Sequence, residues 1–209
     1  NISEKNYKTI SSELSTIRKK AAKQLEIEIA NEFSPLKLEN TVFKVTIKEK
    51  IKSEWSSDGL DHVVFEVSTN KGVPFLPLAQ IASGGEMSRI MLALQVILKR
   101  RNINKAIIFD EVDSGIGGST ADAVGERLYK LSKEFQVIAI THSPQVAAKG
   151  SYHLKIQKQS VNNFTFTNIK EISNKERQEE IARMLSGKSI TLEARAAAAN
   201  LLDVNTNEY

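Results

Sequence analysis

The chain has 209 residues, of which 41% are hydrophobic and 26% charged, so it fits one large domain, or a domain with an appendage, and can bury a core. With no cysteine and three histidines it excludes a disulfide framework and a thiolate-held metal, and it argues against a zinc cluster. A net charge of +4 and a pI of about 9.1 permit contact with nucleic acid without requiring it; with no signal peptide and no apolar run near about 20 residues, the expectation is a cytoplasmic protein without membrane contact.

In chain order, residues 1–33 read as one long helix. Tyr7, Ile10, Leu14, Ile17, Ala21 and Leu25 recur at spacings of three and four, and neither glycine nor proline interrupts them. Its start without a cap suits the end of a coiled-coil arm, and an ordinary amphipathic helix fits the same pattern. At Ser34-Pro35 the period changes to two. Phe43, Val45 and Ile47, then Val63, Phe65 and Val67, predict two strands, joined by the turn residues of "SSDGLD" into a hairpin. A loop with two prolines, "NKGVPFLPL", leads to "IASGGEMSRIMLALQVIL", a glycine turn opening a helix with Met87, Ile90, Met91, Leu94, Ile97 and Leu98 on one face.

Helices and short apolar strands then alternate. "KAIIFDE" and "QVIAITH" read as buried strands on either side of the helix "STADAVGERLYKLSKEF", which predicts a parallel sheet covered on both faces. A hairpin around Val161-Asn162-Asn163 and two closing helices, "KERQEEIARMLSG" and "ITLEARAAAANLL", follow. The expected organisation is an arm at 1–33, a lobe at 34–204 and a polar tail at 205–209.

Three short motifs carry chemistry. The Ser83-Gly84-Gly85-Glu86 turn brings backbone N–H groups to the positive end of a helix dipole, where a phosphate binds well. Ser83 also suits a plain N-cap, and the two roles are compatible. Asp110 and Glu111 end an apolar strand at the sheet edge where ligands of open α/β sheets bind. One carboxylate there can hold a hard cation through water and its neighbour can polarise a water; standing alone, such a pair more often caps the next helix. His142 ends the second strand at the same edge, placed to donate to a terminal phosphate or to remain a surface histidine. Basic residues cluster at Lys99-Arg100-Arg101, where they suit a helix C-terminus, and at Arg18, Lys19, Lys20 and Lys23 on the first helix.

The order and spacing of "SGGE", "IIFDE" and "ITH" resemble the signature motif, Walker B strand and histidine switch of an ABC-type ATPase head. Glu86 and Val112-Asp113 replace the residues usual in transporters and are similar to the SMC-like branch. "PLAQIASGGEMSRIMLALQVIL", "IIFDEVDSGIGGSTADAVGERL", "VIAITHSPQVAAKGSYHLKIQK" and the tail "IARMLSG…ITLEARAAAANLL" resemble the bacterial RecN family of DNA repair ATPases over nearly the whole chain. That resemblance implies an α/β fold, the C-terminal lobe of an ABC/SMC-type P-loop ATPase head, with a mixed sheet, flanking helices and an N-terminal coiled-coil helix. It implies ATP and Mg2+, with Asp110 holding the metal through water, Glu111 as general base and His142 sensing the γ-phosphate. Ser83, Gly84, Gly85 and Glu86 would then face a nucleotide held by an opposite head. The implied partners are the chain's own N-terminal head lobe, a second head in a homodimer, and DNA ends at double-strand breaks, in the cytoplasm and on the nucleoid. The arm's basic cluster would lie near that DNA.

The chain departs from a complete ABC head in three respects. It contains no G-x-x-x-x-G-K-[ST] cradle. It also lacks a glutamine loop, which Gln80 does not replace. Gly117 stands where many ABC proteins carry an aspartate. Another SMC-like head, or a dimerisation module without enzymatic activity, are the rival readings.

Overall fold

A computed structural model describes residues 2–98, 106–161, 164–187 and 189–203. The basic Lys99-Arg100-Arg101, the Asn162-Asn163 turn and the tail at 205–209 lie outside the described residues. The chain divides into two compact units, Asn1–Arg100 and Arg101–Tyr209.

The first unit begins with helix α1, Ile2–Phe33, about 48 Å long at 1.5 Å per residue. It stops at a 3-10 turn, Ser34–Leu36, where Pro35 removes a backbone donor and Lys37 takes the left-handed conformation. Strands β1, Val42–Glu49, and β2, Asp61–Ser68, pair antiparallel from Val42↔Ser68 to Glu49↔Asp61. A two-residue strand β3, Leu76–Pro77, adds to β2 and was not expected from the sequence. Helix α1 packs on β1, and the Glu26 carboxylate accepts the Val45 N–H at 2.7 Å. Ile29, Phe33, Leu36, Phe43 and Val67 are buried.

The buried face of α1 differs from the apolar stripe. Ile10 and Ile17 are 66% and 65% exposed, whereas Ser11, Ala22, Ile29 and Phe33 are buried. The reason is polar. Ser15 Oγ donates to both oxygens of the buried Asp61 at 2.8 Å, and Arg18 pairs with it at 3.1 Å, which turns the serine side of the helix inward. Gly59, at φ +89°, closes the approach: a Cβ there would stand 3.3 Å from Leu14 and 3.7 Å from Ser11 Oγ. Helix α2, Gly84–Leu98, packs on α1. Its buried residues include Ile90, Leu92, Ala93 and Leu94, while Met91 and Leu98, which share one apolar face with Ile90 and Leu94 in the sequence pattern, are exposed.

In the second unit, β4, Ala106–Asp110, and β5, Gln136–Ile140, pair parallel with Asp110 opposite Ile140. Helix α3, Gly118–Ser132, makes the crossover that parallel pairing requires. A short helix α4, Pro144–Lys149, follows β5; the sequence pattern gave no sign of it beyond Ser143-Pro144, and Ser143 caps it. The hairpin of β6, Leu154–Val161, and β7, Phe164–Glu171, comes next, then α5, Asn174–Ser186, and α6, Leu192–Asp203. Ala148 of α4, Ile181 and Ala182 of α5, and Ala194 and Ala198 of α6 form one apolar cluster. The Arg177 guanidinium of α5 donates to the carbonyls of Ala147, Ala148 and Gly150 at the end of α4.

The sheet is covered on one face only, against expectation. Phe109 is buried, but Ile108, Ile138 and Ile140 on the opposite face are 64%, 42% and 47% exposed. Apolar runs in parallel strands signal two covered faces. Among the described residues of this unit, none buries the second face.

Candidate functional site

Asp110 is the last residue of β4 and is exposed. Glu111 follows at φ +52°, a left-handed conformation that costs a non-glycine residue energy, of order 1–3 kcal/mol where the surroundings enforce it. The Ser114 N–H donates to the Glu111 carbonyl at 2.9 Å and closes the turn. Val112 and Asp113 then plunge inward, both at 0% exposure. Past Ile140, the end of β5, Thr141 is half-buried and His142 exposed, and Ser143 is buried. Parallel pairing in register thus sets Asp110, Glu111 and His142 at one sheet edge.

Within that edge, His142 meets Asp113. Its Nδ1 stands 3.6 Å from Asp113 Oδ2, with the imidazole 75% exposed. The same oxygen accepts the Thr141 hydroxyl at 2.7 Å and the Ser143 N–H at 3.0 Å. Asp113 thereby ties the loop after β4 to the loop after β5. From the sequence Asp113 is visible only as a mark of the SMC-like branch. The Thr-His-Ser triplet was the available clue, since its hydroxyl and amide donors need a buried acceptor.

The turn at 83–86 belongs to the first unit. Ser83 Oγ accepts the Glu86 N–H at 3.4 Å and Ser83 O accepts the Met87 N–H at 3.0 Å, so Ser83 caps α2. Ser83 and Gly84 are exposed, and Gly85 is buried. A Cβ on Gly84 would meet nothing within 4 Å, so packing in this unit does not require glycine there. One turn on, Arg89 is buried, which lowers its pKa from the ordinary value, and the Glu86 carboxylate opposes that shift. A buried arginine beside the turn was not anticipated from the sequence.

Among the described residues no three His, Cys, Asp or Glu side chains gather as a metal cage. A single exposed carboxylate at a strand end suits a cation that brings most of its ligands as phosphate and water. Of the arm's basic cluster, Arg18 is spent on Asp61, while Lys19, Lys20 and Lys23 are exposed. No described helix is long and apolar enough to cross a membrane.

No family profile matches the chain. It is 47% identical over 196 residues to the DNA repair protein RecN of Rickettsia bellii, covering 94% of this chain and 35% of that protein. It is 41% identical over 199 residues to RecN of Halalkalibacterium halodurans, again 94% and 35%, and 40% identical over 191 residues to RecN of Haemophilus influenzae, 91% and 34%. The chain therefore spans about a third of the length of these curated relatives. Among solved structures, the Smc head domain with a coiled coil and joint from Pyrococcus yayanosii superposes with a TM-score of 0.56 at 15% identity, over 83% of this chain and 31% of that one. The Smc head domain with an extended coiled coil from Pyrococcus furiosus gives 0.51 at 16% identity, over 81% and 39%. These two likenesses show the fold, that of an α/β SMC head lobe.

Proposed function

This chain is a RecN-type C-terminal head lobe with an SMC head fold, and on that premise we propose that it is half of an ATPase acting in DNA double-strand break repair. The observation that supports the reading is the in-register pair of strand ends carrying Asp110, Glu111 and His142. The proposed substrate is ATP, held by a lobe that supplies the phosphate cradle this chain lacks. Magnesium, when bound with the nucleotide, would neutralise phosphate charge, with Asp110 as its carboxylate ligand through water. Glu111, pinned in its strained turn, orients the attacking water and takes its proton. His142 donates to the terminal phosphate. Ser83, Gly84, Gly85 and Glu86 offer the α2 N-terminus to the nucleotide of a second head, so that ATP closes a homodimer.

The uncovered face of Ile108, Ile138 and Ile140 is assigned to the partner lobe, which would pack over it as the sheet's second layer. The exposed stripe of Ile10 and Ile17 on α1 is assigned to the other helix of a coiled-coil arm, and Lys19, Lys20 and Lys23 to nearby DNA phosphates. The proposed setting is the cytoplasm, at the nucleoid.

The test is to titrate this chain with the lobe that supplies the cradle and to follow ATP hydrolysis. Turnover is expected only for the mixture. The chain alone should bind ATP orders of magnitude more weakly, because several charge-assisted hydrogen bonds of about 1.5–3 kcal/mol each are missing. Micromolar ATP binding by the chain alone, or an inert mixture that has demonstrably assembled, would sink the proposal.

A further inference from the structure

Asp113 has a charge that its visible hydrogen bonds do not require. It is 0% exposed, and Oδ2 takes both the Thr141 hydroxyl and the Ser143 N–H. Oδ1 is buried with no hydrogen-bond partner. Burying a carboxylate with half its acceptor capacity unused is costly. An asparagine would satisfy Thr141 and Ser143 through its carbonyl oxygen without bringing a negative charge into the interior, although its amide N–H groups would take the place of Oδ1. The charge therefore calls for a partner that carries a proton, and the imidazole of His142 stands on the Oδ2 side of the carboxylate, with Oδ1 still unpaired. Its Nδ1 lies 3.6 Å from Oδ2, too long for a hydrogen bond but within one after a small ring rotation. The ring is 75% exposed and has room to make that rotation.

We infer that Asp113 is the positioning residue for His142: it accepts the Nδ1 proton, fixes the ring plane, and so directs Nε2 toward the terminal phosphate. This rests on the reading of His142 as the phosphate-facing residue. A histidine ring has two nitrogens, and the bond made by one decides what the other presents. With Nδ1–H held by the carboxylate, Nε2 is the nitrogen turned to the phosphate, and it donates there when the ring carries both protons. The same carboxylate holds residues 141 and 143 on either side, so both the ring and the backbone that carries it are fixed from one point. Because Asp113 lies on the loop that begins with Asp110 and Glu111, a displacement of that loop is felt directly at His142.

Asp113→Asn separates the two duties, since it keeps an acceptor for Thr141 and Ser143 and removes the charge facing the ring. On the full chain labelled with ¹⁵N-histidine, the Nδ1 resonance of His142, assigned with His142→Ala, is expected in the protonated region. In Asp113→Asn it should move to the unprotonated region while His62 and His153 stay unchanged. In the complete ATPase, Asp113→Asn should lower kcat about 10–100-fold at unchanged KM, as loss of a partner behind an active group does. It should cost nothing further in a His142→Ala background. The same His142 spectrum in both proteins would overturn the inference, as would an equal loss of kcat with and without His142. If Asp113→Asn fails to fold, the wild-type spectrum decides alone, and an unprotonated Nδ1 refutes the inference. Normal turnover by His142→Ala would instead defeat the phosphate-facing reading of His142, leaving the spectrum to judge Asp113.

Discussion

The turn at 83–86 and the loop at 110–117 both lead into a helix and both carry glycine, but the chain holds them in opposite ways. The loop is tied down. Val112 and Asp113 are fully buried, backbone bonds link Ser114 to Glu111 and Ile116 to Asp113, and Asp113 reaches across to Thr141 and Ser143. The turn is open. Ser83 and Gly84 are exposed, and its side-chain bond is one 3.4 Å cap. On the proposed reading water is activated at the loop, and there geometry has to be set in advance, which local burial does. On the same reading a phosphate from another head docks at the turn, and that surface has to stay clear until the head arrives.

The largest expected effect tests the tied loop. Glu111→Gln in the complete ATPase should leave nucleotide binding intact and slow hydrolysis by about 10²–10⁴-fold, the range for loss of a general base. Single-turnover kinetics at the wild-type rate would make Glu111 a structural residue and remove the reason for its strain.

A qualitative loss is expected at the open turn. Ser83→Arg should leave ATP affinity at a head's own cradle close to wild type and abolish ATP-driven dimerisation, measured by light scattering with and without nucleotide. Removing the cap costs only about 1 kcal/mol, so the melting curve should shift slightly. Dimerisation at the normal level would reduce the turn to a helix cap.

A control away from both regions has a similar, small stability effect. Ser173 caps α5 in a reciprocal box with Glu176, and Lys170 pairs with the same carboxylate at 2.6 Å. The hydrogen bond from Lys170, then those from Ser173, hold the Glu176 pKa down at about 2. A depressed carboxylate contributes stability that is present above its unfolded value near 4.5 and is lost as pH falls toward about 2. As the loss of an N-cap, Ser173→Ala should destabilise by about 1 kcal/mol at neutral pH, and the gap to wild type should narrow across that acid window in urea melts. A gap that stays constant would mean the box is not formed in solution.

The smallest effect sharpens the contrast most. Gly84→Ala meets open space and an ordinary backbone, so stability should rise by a few tenths of a kcal/mol while ATP-driven dimerisation weakens. Gly115→Ala also meets open space but sits at φ +71°, so it should destabilise by about 1 kcal/mol. The opposite signs, read by chemical denaturation, distinguish glycine kept for access from glycine kept for backbone shape.

Most elements were legible because they depend on local periodicity. The change from period three-to-four to period two at Ser34-Pro35, and the pairing of β1 with β2, follow from side-chain spacing and turn chemistry alone. Which face a helix buries was less legible. On α1 the decision belongs to Asp61, some forty residues away, whose carboxylate draws Ser15 and Arg18 inward and leaves Ile10 and Ile17 in solvent. Cover for the sheet was misread for a related reason, since apolar strands record the layers of a finished head and this unit supplies one. At the site, strand ends could be read as positions for Asp110, Glu111 and His142. The partnership of Asp113 with residues 141–143 spans about thirty positions and has no periodic trace.

The apolar cluster behind α4 has a bearing on synthesis. The His142 loop is anchored by α4, and α4 is secured by Ile181 and Ala182 of α5 and by Ala194 and Ala198 of α6. A nascent chain can pair β4 with β5 once residue 140 has left the ribosome. The support for α4 is incomplete until residues 192–203 have also emerged. At about 5–20 residues per second, that interval lasts several seconds. For that time Asp113 has its donors in sequence but not yet a settled loop to grip. A premature stop anywhere before α6 would extend that condition indefinitely, yielding a folded-looking sheet with an unanchored histidine loop that chaperones or proteases would be the first to meet.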